Sequence, residues 1–163
     1  MLLARKQLKV KSGRIGLISD THGLVRPEAL AALKGSEVII HAGDIGKPEV
    51  LAALETIAPV IAIRGNNDRD SWAKKIPDVL DLKINGIKIC VIHNVKELER
   101  GSAEGFHAVI SGHSHKPSIM TKDGVLFVNP GSAGLRRFKL PIAVARLQII
   151  GANMRATMVN LEV

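Results

Sequence analysis

Five short polar clusters carry the side chains able to do chemistry in this 163-residue chain: Asp20-Thr21-His22, Gly43-Asp44, Gly65-Asn66-Asn67-Asp68, His93 and Gly112-His113-Ser114-His115. Carboxylate, imidazole and amide oxygen make an O/N donor set that suits Mn, Fe, Zn, Ni or Co, with no thiolate among them. Asp20 and His22 are two residues apart, as are His113 and His115. In an extended or turn segment alternate residues share a face, so each pair can aim at one point. Gly43, Gly65 and Gly112 allow sharp backbone turns beside a crowded site. Singly, the clusters say little. Asp20-Thr21-His22 reads equally as a cap or turn, Gly-Asp is common, and a histidine at a strand end is usually structural. Their order, with each cluster placed after an apolar run, carries the signal.

Those apolar runs are the elements that must position the clusters. Residues 14–19, 38–42 and 60–63 read as buried strands, and Pro27 and Pro48 fit the first turns of helices reaching residues 33 and 57. A strand–loop–helix repeat predicts an α/β fold with parallel pairing and right-handed crossovers, in which ligands sit at the carboxyl ends of the strands. The second half reads as hairpins. Residues 79–84 and 87–92 flank Asn85-Gly86, and 118–122 and 125–129 flank Asp123-Gly124. Residues 95–100 read as a helical turn, 108–111 as a short strand, and 142–149 with 154–163 as a hairpin around Gly151. The expected architecture is two sheets packed as a sandwich with helices outside. Residues 1–12 read as a loosely held basic arm and 13–163 as a single domain.

Composition bounds the function. Apolar residues at 46% and charged residues at 23% describe an ordinary globular chain. Three Phe, one Trp and no Tyr dictate an aliphatic core and leave little surface on which to stack bases, which weakens a single-stranded nucleic-acid reading, although the +8 charge suits nucleic acid as well as a small anion. A net charge of +8 suits an anionic substrate, with small basic clusters at residues 5–11 and 136–139. Cys90 is the lone cysteine. It excludes an intrachain disulfide or a cysteine zinc site and reads as a buried thiol. The apolar stretch at residues 1–4 is too short for a signal-peptide core, and no run approaches membrane-spanning length. The expected location is cytoplasmic, without a membrane partner.

In order and spacing the five clusters resemble the calcineurin-like metallophosphoesterase superfamily, whose signature is Asp-x-His, Gly-Asp, Gly-Asn-His/Asn-Asp/Glu, His and Gly-His-x-His. The resemblance spans roughly residues 14–135, and Asn129-Pro130-Gly131-Ser132 places it near the small single-domain phosphodiesterase branch. It implies a four-layer α/β sandwich of two mixed β-sheets flanked by helices, a small phosphate-ester substrate and two divalent metal ions per chain. Manganese is expected first, with nickel, zinc, iron or cobalt also fitting. The resemblance assigns Asp20, His22 and His115 to one metal, Asn66, His93 and His113 to the other, and Asp44 to both. Such ions, about 3.5–4 Å apart, trap a hydroxide between them for in-line attack on phosphorus. Two positions depart from the pattern. Many members carry His where this chain has Asn67, expected here to contact substrate catalytically. An amide hydrogen-bonds phosphate but cannot act as an acid, so good leaving groups should be preferred. The residue after His93 is Asn94 rather than Gly; Asn tolerates a left-handed backbone.

Beyond the signature, His41 is expected to support the site from behind its ligands, and Asp68 to orient its loop. His107 reads as surface or structural. Arg64 either approaches phosphate or pairs with a carboxylate, and Arg136 and Arg137 either reach substrate or stay solvated. The leading reading is a metal-dependent phosphoesterase, foremost a phosphodiesterase. The alternative is a non-catalytic scaffold of the same fold, like the retromer subunit with an impaired metal site; seven ligand-capable positions favour the enzyme. A nuclease ranks third, since the chain has little length for an additional DNA-binding domain. A homodimer or higher homo-oligomer is the default for a small enzyme.

Overall fold

Alternating apolar residues and tight-turn dipeptides set most of the elements. The computed structural model describes residues 1–98, 103 and 105–163. In chain order it comprises β1 (Leu3–Leu8), β2 (Arg14–Ile18), α1 (Pro27–Leu33), β3 (Val38–His41), α2 (Pro48–Glu55), β4 (Val60–Ala62), β5 (Val79–Ile84) and β6 (Ile87–Ile92). There follow β7 (Ala108–Ile110), β8 (Ser118–Lys122), β9 (Val125–Asn129), β10 (Ala143–Ile150) and β11 (Asn153–Asn160). Short 3-10 turns cover Ser71–Ala73 and Val95–Glu97.

The strands form two mixed sheets, ordered β1-β5-β6-β7-β9-β8 and β11-β10-β2-β3-β4. β2, β3 and β4 run parallel. The hairpins β5–β6 and β8–β9 turn through Asn85-Gly86 and Asp123-Gly124, all four at positive φ as a type I′ turn requires. Between the sheets lies an aliphatic core built at period two, with Ile15, Leu17, Val38 and Ile40 facing Leu80, Leu82, Ile89 and Ile110. On the opposite face of the five-stranded sheet, Ile18, Ile39 and Val144 pack against Ala29 and Leu33 of α1 and Val50 and Leu54 of α2. The outer face of the six-stranded sheet buries Cys90, Ile92 and Val109 under Leu98, Ala103 and Phe106. The α/β sandwich is the expected one, with unequal outer layers. Among the described residues, both α-helices cover one sheet, and Leu98, Ala103 and Phe106 pack on the other.

The expected loose arm at residues 1–12 is corrected. Leu3–Leu8 pairs in parallel with β5, from Leu3 opposite Val79 to Leu8 opposite Ile84. The Leu2 N–H donates to Asp78 at 2.6 Å, and the Lys11 and Ser12 N–H groups donate to Glu37. An edge strand with few buried side chains has no clear alternation, so backbone pairing rather than apolar pattern holds it. The expected turn at 95–100 begins as Val95–Glu97; residues 99 and 100 lie outside the described residues. No described helix is long and apolar enough to cross a membrane. Burial pushes the Cys90 thiol up to about 11, which leaves it protonated and inert.

Candidate metal centre

β2, β3 and β4 of one sheet and β6 and β7 of the other all end at one rim, and each delivers a polar cluster there. The backbone at that rim is strained. Asp20 (φ 55°), His22 (47°), Asp44 (55°), His113 (72°) and His115 (62°) all occupy the left-handed region. Each such non-glycine residue costs about 1 kcal/mol or more and persists only where its surroundings hold it. Of the three glycines, Gly43 alone is left-handed, at φ 100°. A Cβ there would lie 2.7 Å from His93 Nδ1; at Gly65 it would meet the Asp44 carboxylate, and at Gly112 the Ser19 hydroxyl. These glycines leave room for the site.

Two tight donor groups result, Asp20-His22-His115 and Asp20-Asp44-His93, each with its ligand atoms within 4.8 Å of one another. Asp20 Oδ1 lies 3.3 Å from His115 Nε2 and 3.8 Å from both His22 Nε2 and His93 Nε2. Asp44 Oδ2 lies 3.3 Å from His93 Nε2 and 3.7 Å from His22 Nε2. His93 Nδ1 donates to the Ala42 carbonyl at 2.7 Å, which orients the ring and aims Nε2 at the two carboxylates. Asp20 Oδ1, His22 Nε2, His93 Nε2 and His115 Nδ1 are buried without a hydrogen-bond partner. Such orphans are rare, and three of them, Asp20 Oδ1, His22 Nε2 and His93 Nε2, converge as a cation site requires.

Electrostatics agree. Burial works against ionising Asp20, but the His115 ring 3.3 Å from Oδ1 and the His93 ring beside it outweigh burial and hold the carboxyl below its ordinary value. Burial likewise opposes ionisation of Asp44, and His93, the Asn67 N–H and His22 overcome it, lowering the group to about 2. His93 is raised, because Asp44 and Asp20 prevail over its own burial. Both acids are therefore anionic at neutral pH, as cation binding requires.

Asn66 and His113 stand on the open side. Both are exposed, and with His93 and Asn94 they line a cavity of about 430 Å³ whose far wall includes Arg64, Asp78 and Glu97. The His113 ring meets His93 edge-on at 5.3 Å, and its N–H donates to Asp20 Oδ2.

Other expected residues sort clearly. Asn67 is exposed; its N–H donates to Asp44 Oδ1 at 3.0 Å and its side-chain amide to Oδ2 at 3.2 Å, so it also braces Asp44. Asn94 is extended at φ −109° and accepts from the Lys96 N–H, so the left-handed backbone expected there is not used. Arg64 pairs with Asp78 through two bonds of 2.9 and 3.1 Å. Asp68 accepts the N–H groups of Ile45, Gly46 and Gly65, which ties two ligand loops together. His41 is wholly buried. Its Nδ1 accepts from the Gly43 N–H, so Nε2 donates to the Thr21 hydroxyl, which in turn donates to the Ile45 carbonyl. Burial pushes His41 down to about 4, and it is neutral. His107 accepts from the Lys88 N–H, Arg136 folds back onto the Leu140 carbonyl, and Arg137 is exposed.

Three supporting residues were not assigned from sequence. The Ser19 hydroxyl donates to Asp20 Oδ2 at 2.7 Å. Asn129 donates to the Gly112 carbonyl and the Ser114 hydroxyl, and Ser132 Oγ donates to the Asp20 carbonyl. The Asn-Pro-Gly-Ser run was visible; its task of pinning two ligand loops depends on contacts across the fold.

Comparison with known proteins identifies the family and the fold. A family model described as the calcineurin-like phosphoesterase superfamily domain matches residues 14–151. The chain is 35% identical to a "Probable metallophosphoesterase" of Methanothermobacter thermautotrophicus, over 90% of this chain and 91% of that protein. A solved structure of a novel archaeal phosphodiesterase superposes with a TM-score of 0.72 at 27% identity, over 90% of this chain and 99% of that one. Vps29 of Chaetomium thermophilum shares the fold, with a TM-score of 0.74 at 16% identity over 91% of this chain and 96% of that one.

Proposed function

The chain belongs to the calcineurin-like phosphoesterase superfamily, and from that premise we propose that it is a phosphodiesterase working with two divalent cations on a small phosphate ester. One observation carries the reading: the Ala42 carbonyl holds His93 with its free Nε2 facing two ionised carboxylates, among buried donors that lack partners. Asp20, His22 and His115 would hold one cation. His93 and Asp44 would hold the second, joined from the open side by Asn66 and His113, with Asp44 shared. The donor set fits manganese, nickel, zinc, iron or cobalt, and the family resemblance puts manganese first. Bound there, the ions supply a nucleophile at neutral pH and neutralise charge on the phosphoryl oxygens.

The remaining work falls to the chain. Asp68, His41 and Ser132 hold the ligand loops in their strained backbone. Asn67 steadies Asp44 through two hydrogen bonds and has no acidic proton, so the leaving group departs without help from this position. Substrates with good leaving groups should react fastest. The cavity beside His93 suits a small ester. Its Arg64 is committed to Asp78, and Glu97 adds a negative charge, which favours a singly charged diester over a doubly charged monoester. The Vps29 likeness supports a shared fold; a pure scaffold has no need of three converging orphaned ligand atoms.

The test is an assay of purified protein, stripped of metal and reloaded with Mn, Ni or Zn, on an aryl phosphodiester and an aryl phosphomonoester. Metal-dependent hydrolysis with the diester preferred is expected. Substoichiometric metal binding with no hydrolysis would overturn the enzyme and favour the scaffold.

A further inference from the structure

At the end of β2 opposite the metal rim lies a groove of about 180 Å³ lined by Arg14, Lys34, Ser36, Arg146, Arg155 and Thr157. Sheet register builds it. Arg155 pairs with Gln148, which pairs with Arg14; one row along, Thr157 pairs with Arg146, which pairs with Gly16. Directly paired residues point to the same face. By alternation that face is the one on which Ile18 and Val144 meet the helices. α1 stops at Leu33, so the sheet's amino-terminal part emerges beyond it as a floor, and Lys34 to Ser36 form the wall. Arg14 Nη1 lies 3.6 Å from where a Gly35 Cβ would be, which places the guanidinium over that wall. Arg146 is anchored by one bond, from Nε to the Ala32 carbonyl at 2.9 Å.

No carboxylate of the described residues neutralises these charges. Among the described residues, none of Arg14, Lys34, Arg146 and Arg155 has a carboxylate within 4.0 Å. Glu37, close in sequence, spends its oxygens on Lys11 and Ser12. Capping of α1 accounts for Arg146 alone. We propose that this groove is a second ligand site, separate from the metal centre, that takes a small anion bearing several linked phosphates. Guanidinium forks match phosphate oxygens in geometry and charge. Arg155 and Arg14 sit two strands apart, about 10 Å, a span for a chain of phosphates rather than one. The lining contains no aromatic side chain, so a nucleoside attached to those phosphates would add little.

Calorimetric titration of the metal-free protein with inorganic tripolyphosphate tests this, because Asp20 and Asp44 then repel anions from the other rim. One ion per chain is expected, with affinity at least tenfold weaker in Arg14→Gln/Arg155→Gln. Arg155→Gln alone, at an exposed position, guards against misfolding of the pair and should weaken binding several-fold. A nucleoside triphosphate should bind as tripolyphosphate does. The site is refuted by no saturable binding, by equal loss in the control Lys83→Gln/Lys88→Gln, or by binding of an oligonucleotide but not of tripolyphosphate. None of these outcomes bears on hydrolysis at the metal rim.

Discussion

β2 begins at a cationic groove and ends at an acidic rim. Arg14 opens the strand and Asp20 follows its close, with about 13 Å of strand between the two ends. The ends are built differently. At the rim, five ligand-capable residues hold left-handed backbone, and loop-to-loop bonds from Asp68, Asn129 and Ser132 keep them there. At the groove, regular register alone aligns exposed arginines on extended strands. Strain concentrates where donors must converge to within a few ångströms. Exposed charges that need only lie near a flexible anion require none.

That contrast can be broken from either end. The largest effect is expected from Asp44→Asn, which removes the carboxylate proposed to be shared: the diesterase rate should fall on the order of a thousandfold, with tripolyphosphate binding unchanged. Retained hydrolysis would refute the shared role. Next comes Asn129→Ala, which frees the Gly112 carbonyl and loosens the His113–His115 loop. A 10- to 100-fold loss in kcat is expected, the usual scale for residues that orient metal ligands, and steady-state kinetics will show whether KM moves instead.

His41 gives a smaller, pH-dependent effect. Its folded value of about 4 lies below the ordinary 6.5. Between these values the unfolded chain binds the extra proton, so His41 makes stability rise with pH. The contribution is complete above pH 6.5 and lost as pH falls toward 4, up to roughly 3 kcal/mol. Urea unfolding of the metal-free protein at pH 7 and pH 5 should show a flatter dependence in His41→Gln than in the wild type. The smallest effect is expected from Arg155→Gln: unchanged hydrolysis and a stability change within about 0.5 kcal/mol. A loss of activity there would mean that the two ends communicate.

Much of the rim was legible in the sequence, because apolar runs stop where the polar clusters begin and Asn85-Gly86 and Asp123-Gly124 mark their hairpins. The side-chain types gathered at the rim were readable for the same reason. Strand β1 was not, since its backbone pairs with β5 while its side chains stay mostly exposed. Nor was the bracing of Asp44 by Asn67, which depends on how its loop packs against Asp44, 23 residues earlier. The groove was hidden for a similar reason: Arg14 and Arg155 join one face only through the register of β2, β10 and β11.

The most direct test of a dinuclear rim is a count of metal. Metal-free protein would be dialysed against manganese and the bound ions measured per chain by elemental analysis, in the wild type and in His93→Ala. Two ions in the wild type and one in the variant are expected. One or none in the wild type, or two in both, would contradict the centre described here.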